Sequence, residues 1–375
     1  MDLQEIRESL DTIDKQIVNL FEERMDLCVQ VADYKVKNGK EILDKEREKQ
    51  KIDAVSALAH NEFNKVGVSD LFEQIMAISR KLQYKQMSEK YGIEDIAFTE
   101  VEEVETSDIT VVFQGTDGAY SQMAMNRFFG EGVKNFRVDT FADAMKAIEE
   151  KKADFAVLPI ENSTAGFVIE IYDLLVNYEN VIVGEQVIPI NHCLLGLPGT
   201  DMSQVSYVYS HPQSLMQSTN YLSEHPNWKQ VTMLNNAYAA KKVAEDKDFT
   251  QVAIASEQAG KIYGLEVLQK GVQNEKENAT RFIVISNKKI FRKSAEKISI
   301  CFEASHESGS LYHALSHFIY NDLNICKIES RPIKDRSWEY RFFLDFDGNL
   351  SDPSVKNALR GLREETINLK ILGNY

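Results

Sequence analysis

Apolar residues recur every three or four positions at the start of the chain: Leu3, Ile6, Leu10, Ile13, Ile17, Leu20, Leu27, Val31 and Tyr34. No proline or glycine intervenes before Gly39, so the spacing predicts one long amphipathic helix. At 1.5 Å per residue such a helix runs on the order of 50 Å. Two short helices cannot cover a stripe of that length, which predicts an intertwined helical dimer. The stripe skips one step, because Arg24 stands four residues after Leu20. A cation in a core seam needs an anionic partner. At ~100° per residue Lys35 returns to nearly the same face, while Arg7 lies roughly 100° off it and would serve another copy of the site. A second helix carries Asp44, Arg47 and Glu48 on one face at i, i+3, i+4. A third, over residues 69–86, has Leu71, Phe72, Ile75, Ile78 and Leu82 as its stripe, bordered by Ser79 and Gln83.

Residues 89–108 hold eight acids and one base, and residues 91–107 read as a self-repelling acidic linker. The pattern then changes to alternating strands and helices. Residues 110–113 form a short apolar strand followed by a glycine turn, Gly115 to Ser121. Residues 155–158 read as a buried strand, residues 159–166 as a polar turn, and residues 167–175 show helical spacing. Glu161, Asn162, Ser163 and Thr164 therefore fall at a strand's carboxyl end, although Asn, Ser and Thr are also ordinary capping residues. Further strands at 206–209, 252–255 and 282–285 adjoin the polar stretches Ser210 to Ser214, Ser256 and Asn278 to Arg281. Several polar strand ends imply a shared cleft between two α/β lobes that divide near Gly184. The spacing G-x-G-x-x-G is absent, which disfavours a nicotinamide dehydrogenase. His192 and His211 read as core or capping histidines.

Near the end, residues 297–303 and 338–346 alternate as half-buried strands. Gly309, Ser310 and Leu311 open a helix, and residues 325–330 form a strand running into Arg331 and Pro332. A helix at 355–362 and a strand at 366–372 complete the order βαββαβ, a ferredoxin-like arrangement.

The 375 residues leave room for two or three domains. A net charge of −15 argues against nucleic acid, while local arginines still suit small anions. Cys28, Cys193, Cys301 and Cys326 show no paired spacing, so neither a disulfide framework nor a metal site follows, and a reducing, cytoplasmic setting is expected. Charges begin at Asp2 and no run of 18 apolar residues occurs, so neither a signal peptide nor a membrane span is expected.

These patterns carry three resemblances. Residues 1–90 resemble the all-α chorismate mutases, through Arg7, Arg24, Lys35, Asp44, Arg47, Glu48, Ser79 and Gln83. The resemblance implies rearrangement of chorismate to prephenate. Arg24 and the partner chain's copy of Arg7 would clamp carboxylates, with Arg47 and Ser79 completing that shell. Lys35 and Gln83 would address the ether oxygen, and Glu48 and Asp44 the ring hydroxyl. Residues 108–287 resemble the prephenate dehydratases, whose two α/β lobes are similar to periplasmic binding proteins. The matching stretches include Gly115 to Ser121, Pro159 to Gly166, Ser210 to Gln213 and Thr280 to Phe282. The implied reaction removes water and carbon dioxide from prephenate to give phenylpyruvate. Thr280 would supply a proton to the leaving hydroxyl, Arg281 would hold a carboxylate, and Asn162, Ser163 and Gln213 would orient the substrate. Glu161 would add a polar contact or support.

Residues 296–375 resemble an ACT domain, the amino-acid-binding regulatory module, through Gly309-Ser310-Leu311 and Glu329-Ser330-Arg331-Pro332. Serine stands where that family's first motif has alanine. The three blocks follow one chemical order, since the first product is the second substrate, and phenylpyruvate is one transamination from phenylalanine. The combined resemblance implies a bifunctional enzyme with L-phenylalanine feedback, no cofactor, and a homodimer or higher assembly. A bilobed ligand carrier or an amino-acid-responsive interaction protein would leave Arg24 in its helical seam unexplained.

Overall fold

A computed structural model describes residues 2–40, 42–91, 96–334 and 336–375. They form two compact units, one of Met1–Phe98 with Ala295–Ile371, the other of Thr99–Ser294 with Leu372–Tyr375.

The first unit begins with α1, Leu3–Lys37, opened by a reciprocal cap between Asp2 and Glu5. Helix α2, Lys45–Ser56, is capped by Asp44, whose side chain accepts from the Arg47 N–H. Helix α3 spans Glu62–Tyr91, longer than the spacing predicts. Its added first turns leave Phe63 and Val66 exposed, so no buried stripe marked them. On α1 the predicted stripe faces outward, with Leu10, Ile13, Ile17, Leu20 and Leu27 all exposed. Phe21, Met25, Cys28 and Ala32 form the covered side instead. That side lies roughly 100° around the helix from Leu20, Leu27 and Val31. Arg24 and Lys35 fall on the border between the two faces, which is why each is half-buried.

The second unit starts at β1, Thr99–Val101, which pairs in parallel with residues 290–292. Part of the acidic stretch is thus an exposed strand, and residues 92–95 of the expected linker lie outside the described residues. Next come β2 (Thr110–Gln114), α4 (Tyr120–Phe129), β3 (Lys134–Val138), α5 (Phe141–Glu149), β4 (Phe155–Asn162), β5 (Gly166–Phe167), α6 (Ile169–Asn177) and β6 (Val181–Pro189). The chain then passes to a second sheet. Its elements are β7 (Cys193–Gly196), β8 (Tyr207–Ser210), α7 (Pro212–Met216), α8 (Thr219–Ser223), β9 (Lys229–Thr232), α9 (Asn236–Asp246), β10 (Gln251–Ala255), α10 (Glu257–Tyr263) and β11 (Glu266–Lys270). It returns through β12 (Ala279–Ser286) and β13 (Ile290–Arg292).

The first sheet has the order β6-β12-β4-β2-β3 and the second β11-β7-β10-β8-β9. Gly184 lies inside β6, so the crossing between lobes comes after Pro189. Each lobe has its own apolar core; the second packs Leu195, Ala239, Val243 and Ala253 on one side of its sheet. On the other side lie Val208, Leu222, Trp228 and Ile254.

The chain closes with β14 (Lys297–Glu303), α11 (Ser310–Ile319), β15 (Ile325–Pro332), β16 (Tyr340–Asp347), α12 (Pro353–Glu365) and β17 (Ile367–Asn374). The strand order β15-β16-β14-β17 with this βαββαβ sequence is ferredoxin-like. Within the first unit, α12 packs on α3. Gly373 lies opposite Ile182, where an added Cβ would meet the Ile182 carbonyl oxygen.

Candidate active sites

Strand ends of both lobes converge on one cavity of about 560 Å³ in the second unit. Its wall includes Gly115, Gly118 and Tyr120 after β2, Asn162 at the end of β4, and His211 and Gln213 after β8. Asn235 and Asn236 at the start of α9, Ser256 after β10, and Thr280 on β12 also line it. Among the helix starts on this wall, α7, α9 and α10 are capped by His211, Asn235 and Ser256, while α4 has no side-chain cap, and an uncapped helix start suits an anionic ligand. The second lobe holds the glycine turn of the first. Tyr263 donates to the Asp117 carbonyl at 2.9 Å, and Ser256 to that of Gly118 at 3.0 Å. Gly118 has φ +86°, and a Cβ there would meet Ala259 Cα at 2.9 Å, so only glycine fits.

Strand β4 runs through Asn162, because its pairing with β12 continues to Asn162 opposite Thr280. Glu161 and Asn162 are therefore strand residues. The turn that follows does not cap α6, whose first flanking residue is Val168 with no side-chain cap. Asn162 shapes it instead: its Oδ1 accepts from the N–H groups of Thr164 and Ala165 at 3.1 and 2.8 Å. Its Nδ2 donates to Thr280 Oγ1 at 2.9 Å and to Asn278 Oδ1 at 2.7 Å. Ser163 Oγ accepts from the Ala279 N–H at 2.9 Å, so it ties the turn to β12 and does not line the cavity.

Alternation along a strand sends neighbours to opposite faces. Thr280 and Phe282 line the cavity; Arg281 between them does not. The Arg281 guanidinium lies 3.6 Å from Glu161 and 3.4 Å from Glu185. Expected contacts of Arg281 and Glu161 with a substrate therefore meet a pair turned to each other on the far face. Ser210 is also buried, donating to the Ile254 carbonyl at 2.6 Å.

Gln217 joins the cleft without a sequence motif to mark it. Its Nε2 donates to Thr164 Oγ1 at 2.7 Å, and its Oε1 lies 3.2 Å from Asn278 Nδ2 and 3.3 Å from His192 Nε2. It stands four residues after Gln213, but α7 is too short for that spacing to show as a helical face. His192 is buried, its Nδ1 lies 3.2 Å from the Tyr120 hydroxyl, and burial lowers its pKa to about 4. His211 caps α7 by accepting from the Gln213 N–H, and burial lowers its pKa as well.

The helical candidates are spread more widely. Arg24 Nη1 donates to Ser79 Oγ at 2.5 Å, and Gln83 Nε2 to the Ser79 carbonyl at 3.2 Å. Gln83 is buried, and among the described residues its Oε1 has no hydrogen-bond donor. Lys35 donates to the Ile42 carbonyl and, with Asp44, lines a cavity of about 1040 Å³ together with Arg360 and Arg363 of α12. Glu48 lines another of about 460 Å³, which also holds His313. Arg7 and Arg47 are exposed. The eight residues thus do not share one cavity in a single chain. In the C-terminal segment Ser310 and Leu311 border a cavity of about 330 Å³, Gly309 precedes α11 with φ +82°, and residues 329–332 on β15 lie outside that cavity.

Comparison with known proteins bears on both regions. Residues 6–84 match the family model of chorismate mutase type II, and residues 111–290 that of prephenate dehydratase. A bifunctional chorismate mutase/prephenate dehydratase of Buchnera aphidicola subsp. Schizaphis graminum (strain Sg) is 34% identical over 380 residues, covering 100% of this chain and 96% of its own. Among solved structures, a prephenate dehydratase from Arthrobacter aurescens in complex with L-Phe is 27% identical with a TM-score of 0.66. That match covers 71% of this chain and 89% of the other. Another, described as GqqA, a novel type of quorum quenching acylase, is 31% identical with a TM-score of 0.63, covering 71% and 97%. With both domains present in order and alignment over the whole length, the chain is an enzyme that belongs to the bifunctional chorismate mutase/prephenate dehydratases.

Proposed function

We propose that the two reactions run at separate sites, the mutase on residues 1–90 and the dehydratase within residues 108–287, with residues 296–375 an ACT domain that binds L-phenylalanine as a feedback inhibitor. The observation that carries the dehydratase assignment is the 2.9 Å contact from Asn162 Nδ2 to Thr280 Oγ1 inside the cavity. A donor to that oxygen stabilises the charge left when the hydroxyl gives up its proton, so threonine becomes a stronger acid there. Thr280 protonates the leaving hydroxyl of prephenate as carbon dioxide departs, and aromatisation drives the step. Asn162, Gln213 and Gln217 orient the substrate, and the N–H groups at the uncapped start of α4 receive a carboxylate.

In the helices a pericyclic rearrangement needs no nucleophile or base. Holding the compact conformer and stabilising charge on the ether oxygen suffice. Arg24, Ser79 and Lys35 stand beside the uncovered stripe of α1, which supports a site completed by a second copy and its Arg7. Glu48 and Asp44 hold the ring hydroxyl, Gln83 reaches the ether oxygen and Arg47 a carboxylate. The C-terminal ligand site is drawn from Gly309, Ser310, Leu311 and Glu329 to Pro332. The test incubates the purified chain with chorismate and follows prephenate and phenylpyruvate with and without L-phenylalanine. Both products should form, and L-phenylalanine should slow phenylpyruvate formation. Full activity at saturating L-phenylalanine would remove the feedback assignment and leave both reactions standing.

A further inference from the structure

Arg80 on α3 lines the same cavity as Glu48 and has no role in the reactions proposed above, yet it is 8% exposed and permanently charged. Isolated, such a guanidinium would be prohibitive to bury. Two carboxylates from different parts of the first unit meet it. One guanidinium nitrogen donates to Glu48 of α2; the other donates to Glu365 of α12 at 2.7 Å. The second oxygen of Glu365 lies 3.0 Å from His317 Nε2 on α11. His317 is itself wedged against Gly361, where an added Cβ would stand 2.3 Å from its ring. Glu365 is thus held by the packing of α11 on α12, Arg80 by Glu365, and Glu48 by Arg80. Tyr84, one turn on from Arg80, donates to Glu364, so the same stretch of α3 meets α12 twice. Buried charge-assisted bonds of this kind fix a carboxylate's direction as well as its ionisation.

We infer that Arg80 is a positioning residue for the mutase reaction: it aims Glu48, and the end of α12 aims Arg80. The inference rests on the assignment of Glu48 to the mutase site. Geometry set on α2 from the C-terminal segment has a consequence that a packing staple lacks. Loosening Arg80 misdirects Glu48 in folded protein and changes mutase turnover, whereas a staple changes only how much protein is folded.

The test compares E48Q, R80M, R80K and E365Q in the full-length chain. Mutase and dehydratase kcat and KM are measured separately, together with the thermal midpoint. E48Q should lose mutase activity. R80M should lower mutase kcat roughly 10- to 100-fold, the scale of a small misplacement of a catalytic group, with dehydratase kcat within about twofold of the parent. R80K should recover part of the loss, and E365Q should lower mutase kcat several-fold. Parental mutase kcat and KM in R80M, with E48Q inactive, would overturn the inference alone. An active E48Q would overturn the Glu48 assignment beneath it. Equal loss of both activities in R80M, tracking its thermal midpoint, would reduce Arg80 to a staple. If R80M does not fold, E365Q decides: a lowered mutase kcat beside an unchanged dehydratase supports the inference, and a parental mutase kcat overturns it.

Discussion

The α/β cleft and the helical region contrast in how far one chain completes them. In the cleft, Asn162, Asn278, Gln217 and Thr280 bond one another across both lobes, and the lobes are tied through Tyr263 and Ser256. On the helices, Arg24 and Lys35 border a stripe of exposed leucine and isoleucine, and their companions fall into separate cavities. A sheet edge is answered by the strand beside it, so pairing brings distant residues together within a chain. A helix has no such edge, and its apolar face stays open until another surface covers it. The polar groups of the cleft thus meet within one chain, while the apolar stripe beside Arg24 and Lys35 is left uncovered within it.

The sharpest break between the two regions should come from Thr280→Ala. If Thr280 is the proton donor proposed above, its removal should lower dehydratase kcat by ~10²–10⁴, the usual contribution of a positioned proton donor. Mutase turnover, followed by chorismate consumption, should be unchanged, and prephenate should accumulate. Phenylpyruvate formed at the parental rate would dismiss Thr280. Loss of both activities would show that the regions do not act independently.

A smaller effect, on the other region alone, is expected from Ile13→Lys combined with Ile17→Lys. Both residues are at least half solvent-exposed in one chain, at 50% and 55%. In the single chain this double substitution should cost little. If the stripe is buried by a second copy, each lysine forfeits roughly 2 kcal/mol of apolar burial. Sedimentation should then show a smaller species, with mutase kcat/KM down at least ~10-fold and dehydratase kcat retained. An unchanged sedimentation coefficient with full mutase activity would mean that α1 needs no partner.

Legibility in the sequence follows the same division. Period-two alternation located β14 at 297–303 to the residue, but residues 298–303 are all buried, so the strand is covered on both faces and not half-buried as its alternation predicts. Helical periodicity found α1 but could not say which surface covers the stripe, and in the single chain α3 covers the neighbouring face. The stretch at 159–166 shows a finer limit. Composition marked Ser163 and Thr164 as helix caps, yet long-range pairing with β12 carries the strand on to Asn162 and leaves them in an Asx turn. Pairing also decides Arg281, since its neighbour Thr280 takes the cavity face and the pleat turns Arg281 to Glu161. Gln217 had no signal of its own, because its four partners come from segments up to 61 residues away.

The smallest effect tests whether the cleft floor is already formed in the free protein. His192 is enclosed between Tyr120 and Gln217, and burial lowers its pKa to about 4 from an ordinary 6.5. The folded chain therefore keeps this imidazole neutral where the unfolded chain would take a proton. Above pH ~6.5 neither state binds the proton and His192 adds no pH dependence. As pH falls from there toward 4, only the unfolded state gains it, so stability drops; below that the loss is complete. A shift of this size corresponds to ~3 kcal/mol over the window, at about 1.4 kcal/mol per pKa unit. Denaturant unfolding of the second unit at pH 7.5, 5.5 and 4.5 should show that loss in the parent, and His192→Gln should reduce it by on the order of 2 kcal/mol. Carboxylates contribute to both proteins alike, so the difference between them isolates the imidazole. Equal slopes would mean that His192 takes up its proton alike in the folded and unfolded chains, and so is not enclosed between Tyr120 and Gln217 in the free protein.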